Sequence, residues 1–377
     1  MSKGIIRRDD HQKRDAAHEK RWLTVTPAPG CGTEGFTGQD SSREAIEPRP
    51  ASKEIRQPGS DMATVKLLLM ALPFCCVTTL SAQTPAPRHH HALTWDPVRK
   101  QVLMSGGHSV DSTGNGPILD DLWSWDGQRW TALAVSTGLP LLGHSFFADR
   151  NGALFARGGS HGVTSRWSED RWVTVHADSA LRLGGAAGAY DPTRGRFVLF
   201  GGSSGPGVVT SGTWMFNGTT WTQLDVTGPP AMMMASMVFD SKRHVMVLFG
   251  GWDPRLRRGY GETWEFDGAR WRQVRITGPS ARNGPGMAFD AARGEVILFG
   301  GSDPDSDTPL GDTWIYNGRE WRRLDVPGPS ARFEPMMAFD AERGVTVLFG
   351  GHGGSPAQSL GDTWEWDGRE WRRQPRP

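Results

Sequence analysis

Cysteine is scarce in this sequence, and the charges of the two signs balance. The three cysteines, Cys31, Cys75 and Cys76, all precede Ala82, so the chain after that residue can form no disulfide. The sequence contains 42 Lys and Arg residues and 41 Asp and Glu residues. Because the chain lacks the basic excess that attracts a polyanion, we expect no nucleic-acid partner.

The segment that resembles a targeting signal lacks a hydrophobic run long enough to span a membrane. The apolar run from Leu67 to Val77 is well short of the roughly 20 residues of a membrane-spanning helix, and Pro73 interrupts it. Lys66 precedes the run and Leu-Ser-Ala ends it at Ala82, which is the layout of a cleavable signal peptide over residues 62–82. A signal anchor that holds a cytoplasmic tail is the alternative.

Signal peptides stand at the N-terminus, whereas 61 residues precede Met62. We predict that Met62 is the true initiator and that residues 1–61 are a non-native or disordered extension. The mature chain is then 83–377, without a stable membrane span. Its expected location is secreted, periplasmic or at the cell surface.

Glycine and tryptophan are abundant, with 49 and 17 residues, and the glycines mark an internal repeat. Six double glycines begin at residues 106, 158, 201, 250, 300 and 350, with steps of 52, 43, 49, 50 and 50 residues. A period near 50 is typical of a propeller or an array of repeats.

Each repeat contains four strand-like segments, which we call a to d. In the fifth repeat, residues 287–290 (MAFD) predict strand a, and residues 296–301 (VILFGG) predict strand b. Residues 313–321 (TWIYNGREW) predict strands c and d, joined by a two-residue type I′ turn at Asn317-Gly318. One such unit cannot bury both of its faces, so we expect an all-β protein in which the units stack radially as a propeller.

These features resemble the kelch repeat: the double glycine after strand b, the aromatic pair of strand c, and the Trp that opens strand d. The resemblance covers residues 88–374 and implies a six-bladed β-propeller with four antiparallel strands per blade. The blades are expected at residues 88–135, 141–176, 182–225, 231–275, 281–325 and 331–375. Blade 2 is irregular, because Trp167 and Trp172 stand five residues apart rather than seven. No strand is left over, so blade 1 is expected to close the ring against blade 6.

The variable b–c loops and the d–a loops of such blades share one face, which we predict to be the binding face. The candidate ligand-binding residues are Arg88, His90, His108, Trp252, Arg282, Arg332, Glu334 and His352. The arginines suit an anionic or polyhydroxylated ligand, since a guanidinium group offers paired donors. The alternative is structural: the kelch pattern often has Pro-Arg at this position, as in Pro87-Arg88, where the arginine bonds backbone carbonyls between blades.

The run His89-His90-His91 offers imidazoles to a metal ion, but adjacent strand residues point to opposite faces, and no metal motif is present. We therefore predict no metal and no cofactor. His91 and His144 match the histidine that follows the kelch arginine by three residues, so the resemblance implies a structural role for both.

Enzyme and binding functions are both represented among kelch proteins. Galactose oxidase activity is excluded, because its Tyr-Cys cofactor needs a cysteine that the mature chain lacks. The leading interpretation is a non-catalytic secreted module that binds a glycan or a protein. The alternative is a periplasmic sugar-modifying enzyme resembling a sialic-acid mutarotase, in which Glu334 acts as acid or base beside Arg332 or Arg88.

Overall fold

The computed structural model describes residues 84–139, 141–159, 161–354 and 356–375. The chain divides into the units Met1–Thr79 and Leu80–Pro377, and the described residues belong to the second unit. The predicted extension (1–61) and signal peptide (62–82) lie outside the described residues. Within the described part, no helix is long and apolar enough to cross a membrane.

Six antiparallel sheets follow one another along the described chain, and in each the strands are ordered a, b, c, d. We number them sheets 1 to 6. Sheet 1 contains Ala92–Asp96, Gln101–His108, Ile118–Trp125 and Trp130–Ala134. Sheet 2 contains Ser145–Ala148, Leu154–Gly158, Val163–Ser168 and Arg171–Ala177. Sheet 3 contains Ala187–Asp191, Arg196–Phe200, Thr213–Phe216 and Trp221–Leu224.

The later sheets repeat the same arrangement. Sheet 4 contains Met233–Asp240, Val245–Asp253, Thr263–Phe266 and Trp271–Val274. Sheet 5 contains Gly286–Asp290, Glu295–Phe299, Thr313–Tyr316 and Trp321–Leu324. Sheet 6 contains Met336–Asp340, Val345–Phe349, Thr363–Trp366 and Trp371–Arg373. These bounds place the predicted strands a to d of the fifth repeat where the sequence pattern put them.

Shorter elements lie outside the six main sheets. Arg258–Gly259 pairs with the end of strand b in sheet 4. In the b–c loop of sheet 3, Ser203–Gly205 pairs with Val208–Val209. A small sheet next to sheet 6 contains Arg332–Phe333, His352–Gly353 and Gln358–Ser359. One 3-10 turn precedes sheet 3 at Ser179–Leu181. The b–c loops are thus ordered by pairings that differ from sheet to sheet.

The a–b turn is built around the aspartate that ends strand a. In sheet 6, Asp340 Oδ1 accepts the backbone N–H groups of Glu342 and Arg343, both at 3.0 Å. The Arg343 side chain then donates to Asp340 Oδ2 at 2.8 Å. Gly344 ends the turn with φ of +67°, a conformation that favours glycine. The turn therefore explains why Asp, Arg and Gly recur at these positions.

The c–d turn differs from the predicted type I′ geometry. Only Gly318 has a positive φ, of +90°, whereas Asn317 keeps a negative one. The Asn317 side chain instead accepts the backbone N–H groups of Arg319 and Glu320 at 2.9 and 3.0 Å. The prediction was wrong in register, because Asn317 caps the turn from its first position and leaves the left-handed position to Gly318.

The hydrophobic core lies between the sheets. Six clusters of buried residues each join two sheets, and together they pair sheets 1 and 2, 2 and 3, 3 and 4, 4 and 5, 5 and 6, and 6 and 1. At the last junction, Trp130 of sheet 1 packs beside Phe349 of sheet 6, with ring centroids 5.2 Å apart. As predicted, sheet 1 packs on sheet 6, and among the described residues no strand is exchanged between them.

A tryptophan-to-threonine hydrogen bond links most neighbouring sheets. Trp321, which opens strand d of sheet 5, donates from Nε1 to Thr263 Oγ1 of sheet 4 at 2.8 Å. The same bond occurs at four other junctions, as Trp130 to Thr363, Trp221 to Thr164, Trp271 to Thr213 and Trp371 to Thr313. At the junction of sheets 1 and 2, Leu122 replaces the threonine, and the indole N–H of Trp172 is buried without a hydrogen-bond partner among the described residues.

Candidate functional site

The predicted arginines are fully buried, as Arg282 shows. Its two terminal nitrogens donate to the carboxylate of Asp312 at 2.8 and 3.1 Å, and one of them also donates to the Gly300 carbonyl at 3.0 Å. Its remaining N–H groups reach the carbonyl and hydroxyl oxygens of Ser280 at 3.1 and 3.2 Å. All five guanidinium N–H groups therefore have partners. Burial acts to raise the pKa of Asp312, but the hydrogen bonds and charge of Arg282 outweigh it and lower that pKa.

Arg332 and Arg88 repeat this arrangement with Asp362 and Asp121, at 2.6 Å in both pairs. The exposed fraction of each arginine is 0%. This corrects the prediction that Arg88, Arg282 and Arg332 bind an anionic ligand, because their donors are used inside the framework. The structural alternative describes them instead. The mutarotase-like alternative also loses its arginine partners, since Glu334 pairs with His90.

Six equivalent residues, five just before strand a and one at its start in sheet 4, all adopt a left-handed backbone, with φ between +52° and +63°. We call these residues the left-handed ring; they are His90, Gly143, Gly185, Met234, Gly284 and Glu334. In three repeats glycine occupies the position without strain. In the other three, a side chain is held in a conformation that costs an L-residue about 1–2 kcal/mol. Such strain marks a position where the side chain itself can matter.

Neighbouring members of the left-handed ring are in direct contact at five of the six junctions. At four junctions a backbone N–H donates to the preceding member's carbonyl: Gly143 to His90, Met234 to Gly185, Gly284 to Met234 and Glu334 to Gly284, at 2.7–3.0 Å. Between Gly143 and Gly185, a Cβ atom on the former would lie 3.8 Å from the backbone nitrogen of the latter. At the sixth junction, His90 Nδ1 lies 2.7 Å from Glu334 Oε2.

Further histidine side chains lie around the His90–Glu334 pair. The ring centroid of His89 lies 4.6 Å from that of His90, 5.4 Å from His108 and 5.0 Å from His352. One potential ligand atom from each of His89, His90 and Glu334 lies within 4.8 Å of the others. His89 and Glu334 are 6% and 4% exposed. The structure therefore brings four of the predicted site residues, His90, His108, Glu334 and His352, into one cluster.

His89 belongs to this cluster although we expected it on the opposite face from His90. The alternation of side chains applies to extended strands, and strand a begins only at Ala92. His90 has a φ of +55°, so the chain turns between the two residues. The sequence contained a signal for this departure from strand alternation, because His90 stands where other repeats have Gly143, Gly185 and Gly284.

The environment of the cluster disfavours additional positive charge. Burial lowers the pKa of His89, and the neighbouring histidines His90, His352 and His108 lower it further. Burial also lowers the pKa of His108, against the opposing effect of its hydrogen bond with the Gly116 carbonyl. The lowered pKa values of His89 and His108 favour their neutral form, which can accept a hydrogen bond or bind an electrophile.

The opposite side of the left-handed ring is apolar and belongs to sheet 4. Met233 and Met234 are half-buried there, and Met233 pairs with the half-buried Trp252 of strand b. The loop after Trp252 is fixed by Asp253, whose Oδ1 accepts the backbone N–H groups of Arg255 and Leu256 at 2.9 and 3.3 Å. Leu256 is 65% exposed at its tip. Trp252 thus lies on the predicted face, away from the histidine cluster.

Comparison with known proteins agrees with this architecture. Residues 189–375 match the family model described as the KLHDC2/KLHL20/DRC7 Kelch-repeats domain. No curated protein matches the chain. The matched residues span sheets 3 to 6, which contain the regular double glycines and strand-c motifs. The fold is an all-β kelch propeller, and the chain belongs to the kelch-repeat family.

Proposed function

We propose that this protein is a non-catalytic binding module that recognises a segment of another protein on the loop-rich face. Kelch repeats act as protein-interaction modules, which supports a binding role. The observation that carries the proposal is the apolar surface of sheet 4, where Met233, Met234 and Trp252 lie half-buried beside an ordered loop with Leu256 exposed. Half-buried aromatic and aliphatic side chains next to arginine are typical of the residues that dominate protein interfaces.

The rigid loop favours binding further, because little conformational entropy is lost when a partner docks on it. Asp253 is 1% exposed and holds Arg255 through an ion pair of 3.3 Å. Arg258 lies over the Tyr260 ring at 5.0 Å. The surface therefore presents an apolar centre with a cationic edge, which suits a protein segment that combines an apolar side chain with an acidic one.

A displayed library of random peptides, screened beside a glycan array, tests this function. We expect selected peptides to bind the wild-type protein and to lose affinity at least about tenfold with Trp252→Ala, as for a central interface residue. Arg319→Ala, on an exposed turn at the opposite face, is the matched control and should bind as wild type. Binding of glycans alone would favour the glycan interpretation, and peptide binding unaffected by Trp252→Ala would contradict the proposed surface.

We further propose that the six sheets are the blades of one closed six-bladed propeller. The direct contacts at five of the six junctions of the left-handed ring support this arrangement, and they include the His90–Glu334 pair that joins the last repeat to the first. The hydrophobic cluster shared by sheets 6 and 1 supports it as well.

Secretion through the predicted signal peptide is also a proposal. N-terminal sequencing of protein exported by a bacterial host tests it. A mature chain that begins near Gln83 is the expected result, whereas an exported chain that keeps residues 1–61 would contradict both the cleavage and the assignment of Met62 as initiator.

A further inference from the structure

We propose that His89, His90 and Glu334 bind one divalent transition-metal ion of the zinc class. Two imidazoles and one carboxylate are a protein ligand set that zinc uses when a fourth position stays open to water or another ligand. The proposal goes beyond the protein-binding function and does not depend on it, because metal binding is measured without any partner.

The spacing of the ligand atoms fits such an ion. Bonds of about 2.0–2.2 Å in a tetrahedral site place ligand atoms about 3.4 Å from one another. The candidate atoms of the three residues lie within 4.8 Å of each other, and the His90–Glu334 pair is separated by 2.7 Å. Because no separation exceeds the required value by more than about 1.4 Å, small side-chain rotations are enough to bring all three atoms to bonding distance.

The hydrogen bonds of Ser359 select the tautomer that a metal ligand needs. The Ser359 hydroxyl lies 3.2 Å from the His108 carbonyl, to which it donates, and it accepts the backbone N–H of Val110 at 2.9 Å. Its single proton is thereby used, so His89 Nδ1, at 2.9 Å, must donate to it. The neutral His89 ring then carries its lone pair on Nε2. A second hydrogen bond that orients an imidazole in this way is typical of metal-binding histidines.

The backbone supplies an independent argument. His90 and Glu334 adopt φ of +55° and +52° at positions where glycine stands in sheets 2, 3 and 5. The fold therefore accepts glycine at this position, so the backbone of a repeat does not require a side chain there. Their side chains meet each other across the junction of the first and last repeats, which points to a role that depends on the two side chains together.

The charge of Glu334 also favours a bound cation. Its carboxylate is 4% exposed, and the nearby Arg332 is taken up by Asp362 at 2.6 Å. A buried carboxylate beside imidazoles is stabilised when a divalent ion replaces the shared proton. Further imidazoles lie beside the site: the ring centroids of His108 and His352 are 5.4 and 5.0 Å from that of His89.

Zinc titration of the full-length protein by calorimetry tests the site. The affinity tag is removed, and the three cysteines are blocked with iodoacetamide, which leaves the sheets untouched because all three precede Ala82. We expect the wild-type protein to bind one Zn²⁺. The His90→Gly and Glu334→Gly variants should bind it more than about 100-fold more weakly, which exceeds the loss in affinity when only a residue that hydrogen-bonds to a metal ligand is removed. Met234→Gly, the same change at the third strained position, is the control and should retain the wild-type affinity.

Thermal unfolding with and without zinc gives a second measurement. Zinc should raise the Tm of the wild-type protein and of Met234→Gly, but not that of His90→Gly or Glu334→Gly. The apo Tm of each glycine variant shows that it is folded. Failure of the folded wild-type protein to bind zinc would overturn the proposal, as would equal zinc affinity in wild type, His90→Gly and Glu334→Gly.

Discussion

Sheets 2 and 5 have the same four strands but are held by different interactions. Sheet 5 has the buried Arg282–Asp312 pair, and at the corresponding positions sheet 2 has Leu141 and Val163. Trp321 of sheet 5 bonds a threonine, whereas the indole N–H of Trp172 in sheet 2 has no partner among the described residues. The strand pattern and the apolar contacts are thus sufficient to form a sheet, and the polar links add to its stability.

Sheet 2 has its own buried cation. Arg157 occupies the end of strand b, where sheets 3 to 6 have phenylalanine, and it is 0% exposed. It donates to the carbonyls of Leu181 and Leu183 in the segment that leads into sheet 3. Burial lowers its pKa to about 10. Arg157 therefore binds backbone carbonyls as Arg282 does, but from strand b rather than from the segment before strand a, and without a carboxylate.

In two of the three repeats that lack an arginine at the position of Arg282 the acidic residue is absent as well, whereas sheet 4 has Met232 with Glu262. The pair gives the largest predicted effect. Sheet 3 has Leu183 and Gly212 where sheet 5 has Arg282 and Asp312. Arg282→Leu should lower the free energy of unfolding by about 3–5 kcal/mol, because it leaves the carboxylate of Asp312 without its partner. Arg282→Leu/Asp312→Gly, which copies sheet 3, should cost less than the single change. Chemical denaturation measures both, and a double variant less stable than the single one would contradict the coupling.

The double glycines also differ in conformation between sheets 5 and 2. Gly300 of sheet 5 has φ of +67°, and a Cβ atom there would lie 2.5 Å from the Arg332 carbonyl oxygen. Gly300→Ala should therefore cost at least about 2 kcal/mol, from left-handed strain together with the displaced backbone. Gly158 of sheet 2 has no positive φ, and the nearest atom, in Leu141, would lie 3.7 Å from a Cβ. Gly158→Ala should stay within about 0.5 kcal/mol of wild type by denaturation.

The tryptophan-to-threonine bond can be removed without changing side-chain shape. Thr263→Val should destabilise the protein by about 1–3 kcal/mol, since it leaves Trp321 Nε1 buried without an acceptor. Thr346→Val is the matched control, because the Thr346 hydroxyl is buried with no partner in the described part of the chain. That change should be neutral or stabilising in thermal unfolding. Equal losses from both would show that the bond contributes nothing.

His144 of sheet 2 predicts a pH dependence. Burial lowers its pKa from 6.5 to about 3, and neither ring nitrogen has a hydrogen-bond partner among the described residues. Below pH 6.5 the unfolded chain binds a proton that the folded protein refuses, so His144 reduces stability as pH falls toward 3, by about 1.4 kcal/mol per pH unit. His144→Leu should make the measured dependence shallower over that range. His161→Leu, at an exposed histidine, should leave the slope unchanged.

The sequence was most informative where one physical requirement recurs. The double glycines, the aspartate turns and the strand order were all readable because each repeat needs the same backbone conformation. The arginines were misassigned as ligand-binding residues because their acidic partners are distant in sequence; those of Arg282 and Arg332 lie 30 residues further along the chain, just before strand c. The signal was available, since sheet 3, one of the three repeats that lack the arginine, has Leu183 and Gly212 at the two positions.

The candidate site was only partly predictable. Placing His90 and Glu334 in one sector required only the order of the repeats, and the structure confirms that they meet, at 2.7 Å. The position of His89 depends on the left-handed φ of His90, which strand alternation cannot describe. The bonds from strand-d tryptophans to threonines of the preceding sheet also depend on how sheets stack, although the threonine that begins strand c was visible in the repeats.

The account assigns a structural role to Arg88, Arg282 and Arg332 and a metal-binding role to His89, His90 and Glu334. Anomalous X-ray scattering at the zinc edge, from crystals of the full-length protein grown with Zn²⁺, tests this contrast most directly. We expect a single strong peak in the sheet region within bonding distance of His89, His90 and Glu334, with Arg88, Arg282 and Arg332 still bound to their aspartates. A sheet region without a peak between these three residues, or with zinc bound elsewhere in it, would contradict the account.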